Sequence, residues 1–128
     1  MKHETISDPK TFKLMYEAVF GVPYTHDKVP EIIMMATDDN SSVVGFMSGF
    51  WNYDDSFYIQ YAGVVPEYRK KGYTQYLNQM LEDGINYICV TENDNVPAMT
   101  TLLKIGFIPI GIRQGGKREC FIEWARRA

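Results

Sequence analysis

Cysteine is scarce in this chain of 128 residues, which carries only Cys89 and Cys120. The two stand far apart in apolar, alternating segments, and neither has the CxxC or Cys/His spacing of a zinc site. Both are expected to be reduced, buried packing residues. Histidine is as rare: His3 and His26 lack ligand spacing to each other or to a carboxylate pair, so no metal is expected. No apolar run approaches the length that crosses a bilayer, and the opening MKHETISDPK lacks the apolar stretch of a signal peptide. The expectation is a cytoplasmic protein without a membrane partner. A net charge of −3 repels polyanions and leaves no footprint for nucleic acid. The phosphate motifs GxGxxG and GxxxxGK followed by Ser or Thr are missing, as are internal repeats, linkers and low-complexity segments.

What is present is core material. Apolar residues make up 45% of the chain, with seven Phe, nine Tyr and two Trp, enough for a single domain over residues 1–128. Asp8 and Pro9 read as a helix start, Phe12, Met15, Tyr16 and Val19 recur at helical spacing, and Gly21 closes the segment. EIIMMATD and SVVGFMSGFW flank the polar cluster DDNSS as two antiparallel strands, and FYIQYAGVV follows as a central strand. Tyr73, Tyr76, Leu77, Met80 and Leu81 form one stripe of a helix ending near Gly84. Strand NYICVT leads to a second helix opened by Asp94 or Asn95, with Met99, Leu102 and Leu103 as its buried stripe and Gly106 closing it. FIPIGIR and KRECFIEW end the chain as two strands joined around Gly115 and Gly116. The order is a mixed α/β layout around one sheet.

One stretch asks for a ligand. VVPEYRKKGYT, Val64 to Thr74, takes a strand end through three positive charges and a glycine into a helix. The free N–H groups and positive dipole end of that helix point above the turn. Basic residues at a helix N-terminus are dipole-unfavourable by ~0.3–1 kcal/mol each, so they call for a compensating anion or for plain exposure. A phosphate suits the site: Gly72 allows close backbone approach, and Arg69, Lys70 and Lys71 supply charge.

With these residues in place, the chain resembles the GNAT superfamily of acyl-CoA-dependent N-acyltransferases. Arg69 and Gly72 match that family's pyrophosphate motif, a Gln or Arg, two residues, Gly, one residue, then Gly or Ala; Thr74 stands at the last position. Asn95, Ala98, Lys104, Gly106 and Phe107 are similar to its second signature, with Leu102 where a tyrosine is usual. The resemblance implies a GNAT-like mixed, mostly antiparallel sheet with a V-shaped splay, flanked by helices. It further implies acetyl-CoA as acyl donor, its pantetheine amides pairing with the main chain at Val64 and Val65. The pyrophosphate would rest on the N–H groups of Lys70, Lys71, Gly72, Tyr73 and Thr74 beside Arg69, with Asn95 facing the pantetheine or adenine arm. In the implied reaction a primary amine attacks the thioester directly in a ternary complex, and the N–H near Val64 stabilises the oxyanion. Tyr58 is the candidate side chain for proton transfer, with Glu31, Asp54, Asp55 and His26 also near the expected acceptor side. Leu102 cannot protonate the leaving thiolate, so a catalytically weak, coenzyme-binding or protein-interaction module is the alternative. A homodimer through the apolar C-terminal strand is the remaining expectation.

Overall fold

The computed structural model describes residues 4–5, 9–30, 32–40, 42–69, 73–116 and 119–128. Among the described residues, seven strands and three helices follow one another as β1 Glu4–Thr5, α1 Pro9–Phe20, β2 Ile32–Thr37, β3 Val43–Trp51, β4 Phe57–Val64, α2 Tyr73–Gln79, β5 Tyr87–Glu92, α3 Val96–Lys104, β6 Ile108–Gln114 and β7 Cys120–Arg126. A 3-10 turn, Pro66–Tyr68, separates β4 from α2. Hydrogen-bonded neighbours run β1-β2-β3-β4-β5-β7-β6. The β1/β2, β2/β3, β5/β7 and β6/β7 pairs are antiparallel. The β4/β5 pair is parallel, and its register covers Phe57 with Tyr87 and Tyr58 with Ile88. The fold is therefore mixed α/β around one sheet, as the order of elements implied, and the sheet is mostly antiparallel, as the family resemblance implied.

Two compact units interleave along the chain: Met1–Phe50 with Ile59–Glu82, and Trp51–Tyr58 with Asp83–Ala128. In the first, Phe12 and Val19 of α1 bury against Ile33 and Phe46 of β2 and β3, ringed by Met15, Tyr16, Tyr24, Val29, Met35, Tyr61 and Val65. The helical spacing of Phe12 and Val19 puts them on one face, and that face is the buried one. Gly21, at φ 75°, ends α1 in the left-handed conformation that glycine adopts freely. Two close approaches tighten this unit. A Cβ on Gly63 of β4 would stand 2.4 Å from Val19 Cγ1, and one on Gly45 of β3 would stand 2.8 Å from the Gly63 carbonyl.

In the second unit Phe57, Tyr87, Phe107 and Trp124 are buried, and the indole N–H of Trp124 donates to Thr91 Oγ1 at 2.9 Å. Cys89 is buried, and burial pushes its thiol up to about 12; Cys120 is partly buried, and both thiols are free. Three elements differ from expectation. Helix α2 stops at Gln79, because Met80 and Leu81 close the end with tighter bonds to Leu77 and Asn78; both side chains still bury. Helix α3 exposes Leu103 and leaves Met99 and Leu102 only partly covered. The edge strands of the sheet are β1 and β6, not the terminal strand, since β7 lies between β5 and β6. The basis expected for a homodimer, an apolar edge on β7, is thus absent there, and the exposed apolar row is Ile108, Ile110 and Ile112 of β6.

Candidate functional site

The site grows from the end of β4. Val64 is fully buried, and the peptide that joins it to Val65 is bonded at both ends. The Val65 N–H donates to the Val44 carbonyl at 2.8 Å, and the Val64 carbonyl accepts from Arg69 Nε at 2.9 Å. Alternation along an extended chain therefore turns the Val64 N–H and C=O to the edge of β4 opposite β3. Val65 differs from expectation: its N–H is spent on Val44, and its carbonyl already accepts the Tyr68 N–H at 3.0 Å. Of the two residues, Val64 alone keeps main-chain groups turned outward.

The turn after β4 is pinned by its own side chains. Tyr68 donates its hydroxyl to Asp38 Oδ2 at 2.8 Å and sets its ring edge-on against Tyr76, 5.6 Å between centroids. Asp38 Oδ1 accepts from the Asn40 and Ser42 N–H groups at 2.9 and 3.0 Å. The Ser42 N–H first, then the Tyr68 hydroxyl, hold the Asp38 carboxyl below its ordinary 3.8, while the same bond to Asp38 raises Tyr68. The opposite directions agree on one geometry, a phenol donating to a carboxylate. Farther on, Gln79 Oε1 accepts the Thr37 N–H at 3.1 Å, tying the end of α2 to β2.

Arg69 was expected beside a phosphate; its guanidinium instead reaches two backbone carbonyls, Val64 by Nε and Val19 by Nη2. Tyr73 and Thr74, the first residues of α2, are partly exposed, and burial raises the Tyr73 phenol. Lys70, Lys71 and Gly72 lie outside the described residues, as does Glu31. Asn95 serves as the N-cap of α3, its side chain accepting the Ala98 N–H at 3.3 Å, so its oxygen is turned to the helix rather than to a ligand.

Tyr58 and Val64 are not brought together. Six positions along β4 separate them by about 20 Å, beyond what one thioester carbonyl spans. Tyr58 belongs to the second unit, where burial first of all raises its phenol and Arg113 and Glu123 supply opposing charges around it. Among the other acceptor-side candidates, Asp54 is locked in the β3/β4 turn, accepting the Ser56 N–H and hydroxyl at 3.0 and 2.6 Å. Asp55 occupies the left-handed region of the same turn at φ 66°. The His26 ring is exposed and stands edge-on to Tyr24, 5.4 Å away.

Sequence reasoning missed a cluster in the first unit. Tyr61 stands nearly perpendicular to Tyr16 and Tyr24, at 5.3 and 5.8 Å, and those two rings meet edge-on at 5.0 Å and 69°. Tyr24 donates its hydroxyl to the Lys28 carbonyl, and burial, then the bond with Tyr24, raises Tyr61. These rings sit on a helix, a loop and a strand, so no periodicity links them. Among the described residues no three His, Cys, Asp or Glu side chains gather as metal ligands.

Comparison with known proteins decides the family. The sequence model of the acetyltransferase (GNAT) family matches residues 5–107. The chain belongs to that family. No curated protein sequence matches it significantly. Among solved structures, a GNAT-family acetyltransferase from Bacillus cereus is similar with a TM-score of 0.69 at 20% identity, over 98% of this chain and 96% of that one. A spermidine N-acetyltransferase chimera from Vibrio cholerae and hSSAT matches at 0.69 and 13% identity, over 98% and 95% of the two chains. A protein from Bacillus anthracis str. Ames, solved in complex with acetyl coenzyme A, matches at 0.61 and 23% identity over 80% of this GNAT chain. That match covers 65% of the Bacillus anthracis chain, so the present chain spans less than two thirds of that relative's length.

Proposed function

We propose that this GNAT-family chain transfers the acetyl group of acetyl-CoA to a primary amine by direct attack in a ternary complex. The observation that supports it most is the end of β4. There the Val64 N–H faces the outer edge of the strand, and Arg69 and then α2 follow it along the chain. The donor set fits the coenzyme: an outward N–H at Val64 for the acyl end, the first N–H groups of α2 at Tyr73 and Thr74, and the Thr74 hydroxyl for the phosphates. Lys70, Lys71 and Gly72 complete that set by sequence. Bound there, acetyl-CoA supplies an activated thioester. Val64 would donate its N–H to the thioester oxygen as negative charge gathers on it. The attacking amine, near ~10.4 as an ammonium, must first lose a proton to solvent; its nitrogen then bonds to the thioester carbon, the C–S bond breaks, and coenzyme A leaves as its thiolate, to be protonated by solvent. A cationic acceptor is favoured by the net charge of −3, and the structural likeness to a spermidine N-acetyltransferase chimera makes polyamines the first class to try.

The second reading, coenzyme binding without turnover, is favoured by Leu102 at the position where the family's tyrosine is usual. Thiol release from acetyl-CoA, followed with spermidine, an aminoglycoside and a lysine peptide in turn, separates the two. Release that needs the amine supports the transferase. Tight acetyl-CoA binding with no amine-dependent release supports the binding module, and no binding by folded protein removes both.

A further inference from the structure

The guanidinium of Arg69 is planar, and Nε with Nη2 forms its side-on fork, one of the two faces with which arginine grips an anion bidentately. In this structure the fork is spent on backbone: Nε on the Val64 carbonyl and Nη2 on the Val19 carbonyl. Val19 lies in the last turn of α1, whose own sequence places no basic residue there. The last carbonyls of a helix lack intrahelical donors and carry its negative dipole end, so a cation is stabilised at that point. The same place is where Val19 meets Gly63 with no room for a Cβ. Arg69 thus joins the end of α1 to the end of β4 beside the close approach of Val19 to Gly63.

We propose that Arg69 is a positioning residue that shapes the β4 terminus into a donor edge, rather than the countercharge of the pyrophosphate. The Val64–Val65 peptide plane is held at both ends, by Val44 on one side and Arg69 on the other, so it cannot turn. With the Val64 carbonyl already accepting a charged donor, the group that Val64 offers at the outer edge is its N–H, close to a positive charge. That edge favours an oxygen ligand, above all one gaining negative charge. A lysine has the charge without the planar fork and cannot reproduce the paired, coplanar Nε and Nη2 bonds.

The proposal rests on the acetyl-CoA reading, and the test keeps the two apart. Arg69→Lys and Arg69→Gln are compared with the natural chain by titration with acetyl-CoA at two salt concentrations, and by the infrared carbonyl band of bound, carbonyl-13C-labelled acetyl-CoA. Expected is a downshifted band in the natural protein that both variants lose alike, with affinities within about threefold of it, or ~0.7 kcal/mol, and an unchanged salt dependence. The proposal is overturned if Arg69→Lys keeps the natural band and affinity while Arg69→Gln binds more than about tenfold weaker with a flattened salt dependence, the mark of a lost countercharge. Should the variants not fold, NMR of the natural protein decides. A slowly exchanging Arg69 Nε–H coupled to the Val64 carbonyl supports the tie, and one that exchanges freely with solvent sinks it. Failure of the natural protein to bind acetyl-CoA would instead remove the transferase reading, leaving the NMR result to judge the tie by itself.

Discussion

Gly63 and Gly45 show how little space the first unit leaves at the residue scale. A methyl on Gly63 would collide with the stiff, branched side chain of Val19, and one on Gly45 would meet the backbone oxygen of Gly63. Gly63→Ala is therefore expected to cost about 1–3 kcal/mol, the usual range for forcing an extra carbon into a packed core. Urea denaturation measures it, and a change under ~0.5 kcal/mol would show that α1 does not press on β4 as described. At the same scale Cys89 was legible from sequence as a small apolar residue in an alternating strand, whereas Cys120, in the same kind of segment, is only partly buried because β7 is covered there by less of the fold. The double engagement of Val65 was not, since a strand's apolar pattern tells which side chains turn inward and says nothing of which main-chain groups remain unbonded.

Elements were legible where residues act on their own neighbours. Asn95 as the cap of α3 and Gly106 at its end, left-handed at φ 95°, follow from local chemistry. Replacing Asn95 by Ala should lower stability by about 0.5–2 kcal/mol, and Asn95→Ser should restore most of it. Acetyl-CoA affinity should stay level in both, and a drop confined to affinity would return Asn95 to the ligand. The end of α2 was misjudged because Met80 and Leu81 continue the apolar stripe past the last helical residue. The latch between Asp38 and Tyr68 joins a β-turn to the basic turn 30 residues on, and no local signal marks it. Because Asp38 is depressed below 3.8, its contribution is complete above the ordinary carboxylate value and is lost as pH falls through the depressed one. NMR of the Tyr68 ring should show the latch opening with a midpoint below 3.8, and Asp38→Asn should abolish that step. A midpoint at or above the ordinary value would refute the bond.

At the scale of the whole molecule, binding is linked to folding. Acetyl-CoA that binds only the folded chain should stabilise it by about 2.7 kcal/mol at a hundredfold excess over Kd, seen as a concentration-dependent rise in Tm. A Tm that ignores acetyl-CoA would contradict the coenzyme assignment. The exposed row of Ile108, Ile110 and Ile112 on β6, reaching 76% at Ile112, likewise emerges only at this scale. Sequence shows an apolar strand, and only the sheet order reveals which strand has a neighbour on one side. By itself the sequence determined the kinds and order of the elements, the Asn95 cap, the burial of Cys89 and the resemblance that led to the GNAT family; the Asp8 cap lies outside the described residues. The features so determined depend on residues close together along the chain. The tertiary structure decided which main-chain groups stay available at Val64, where the Arg69 guanidinium points, that Tyr58 and Val64 stand far apart on one strand, and which strands are the edges. Those outcomes depend on hydrogen-bond partners contributed by distant segments, and a linear pattern of side chains carries no record of them.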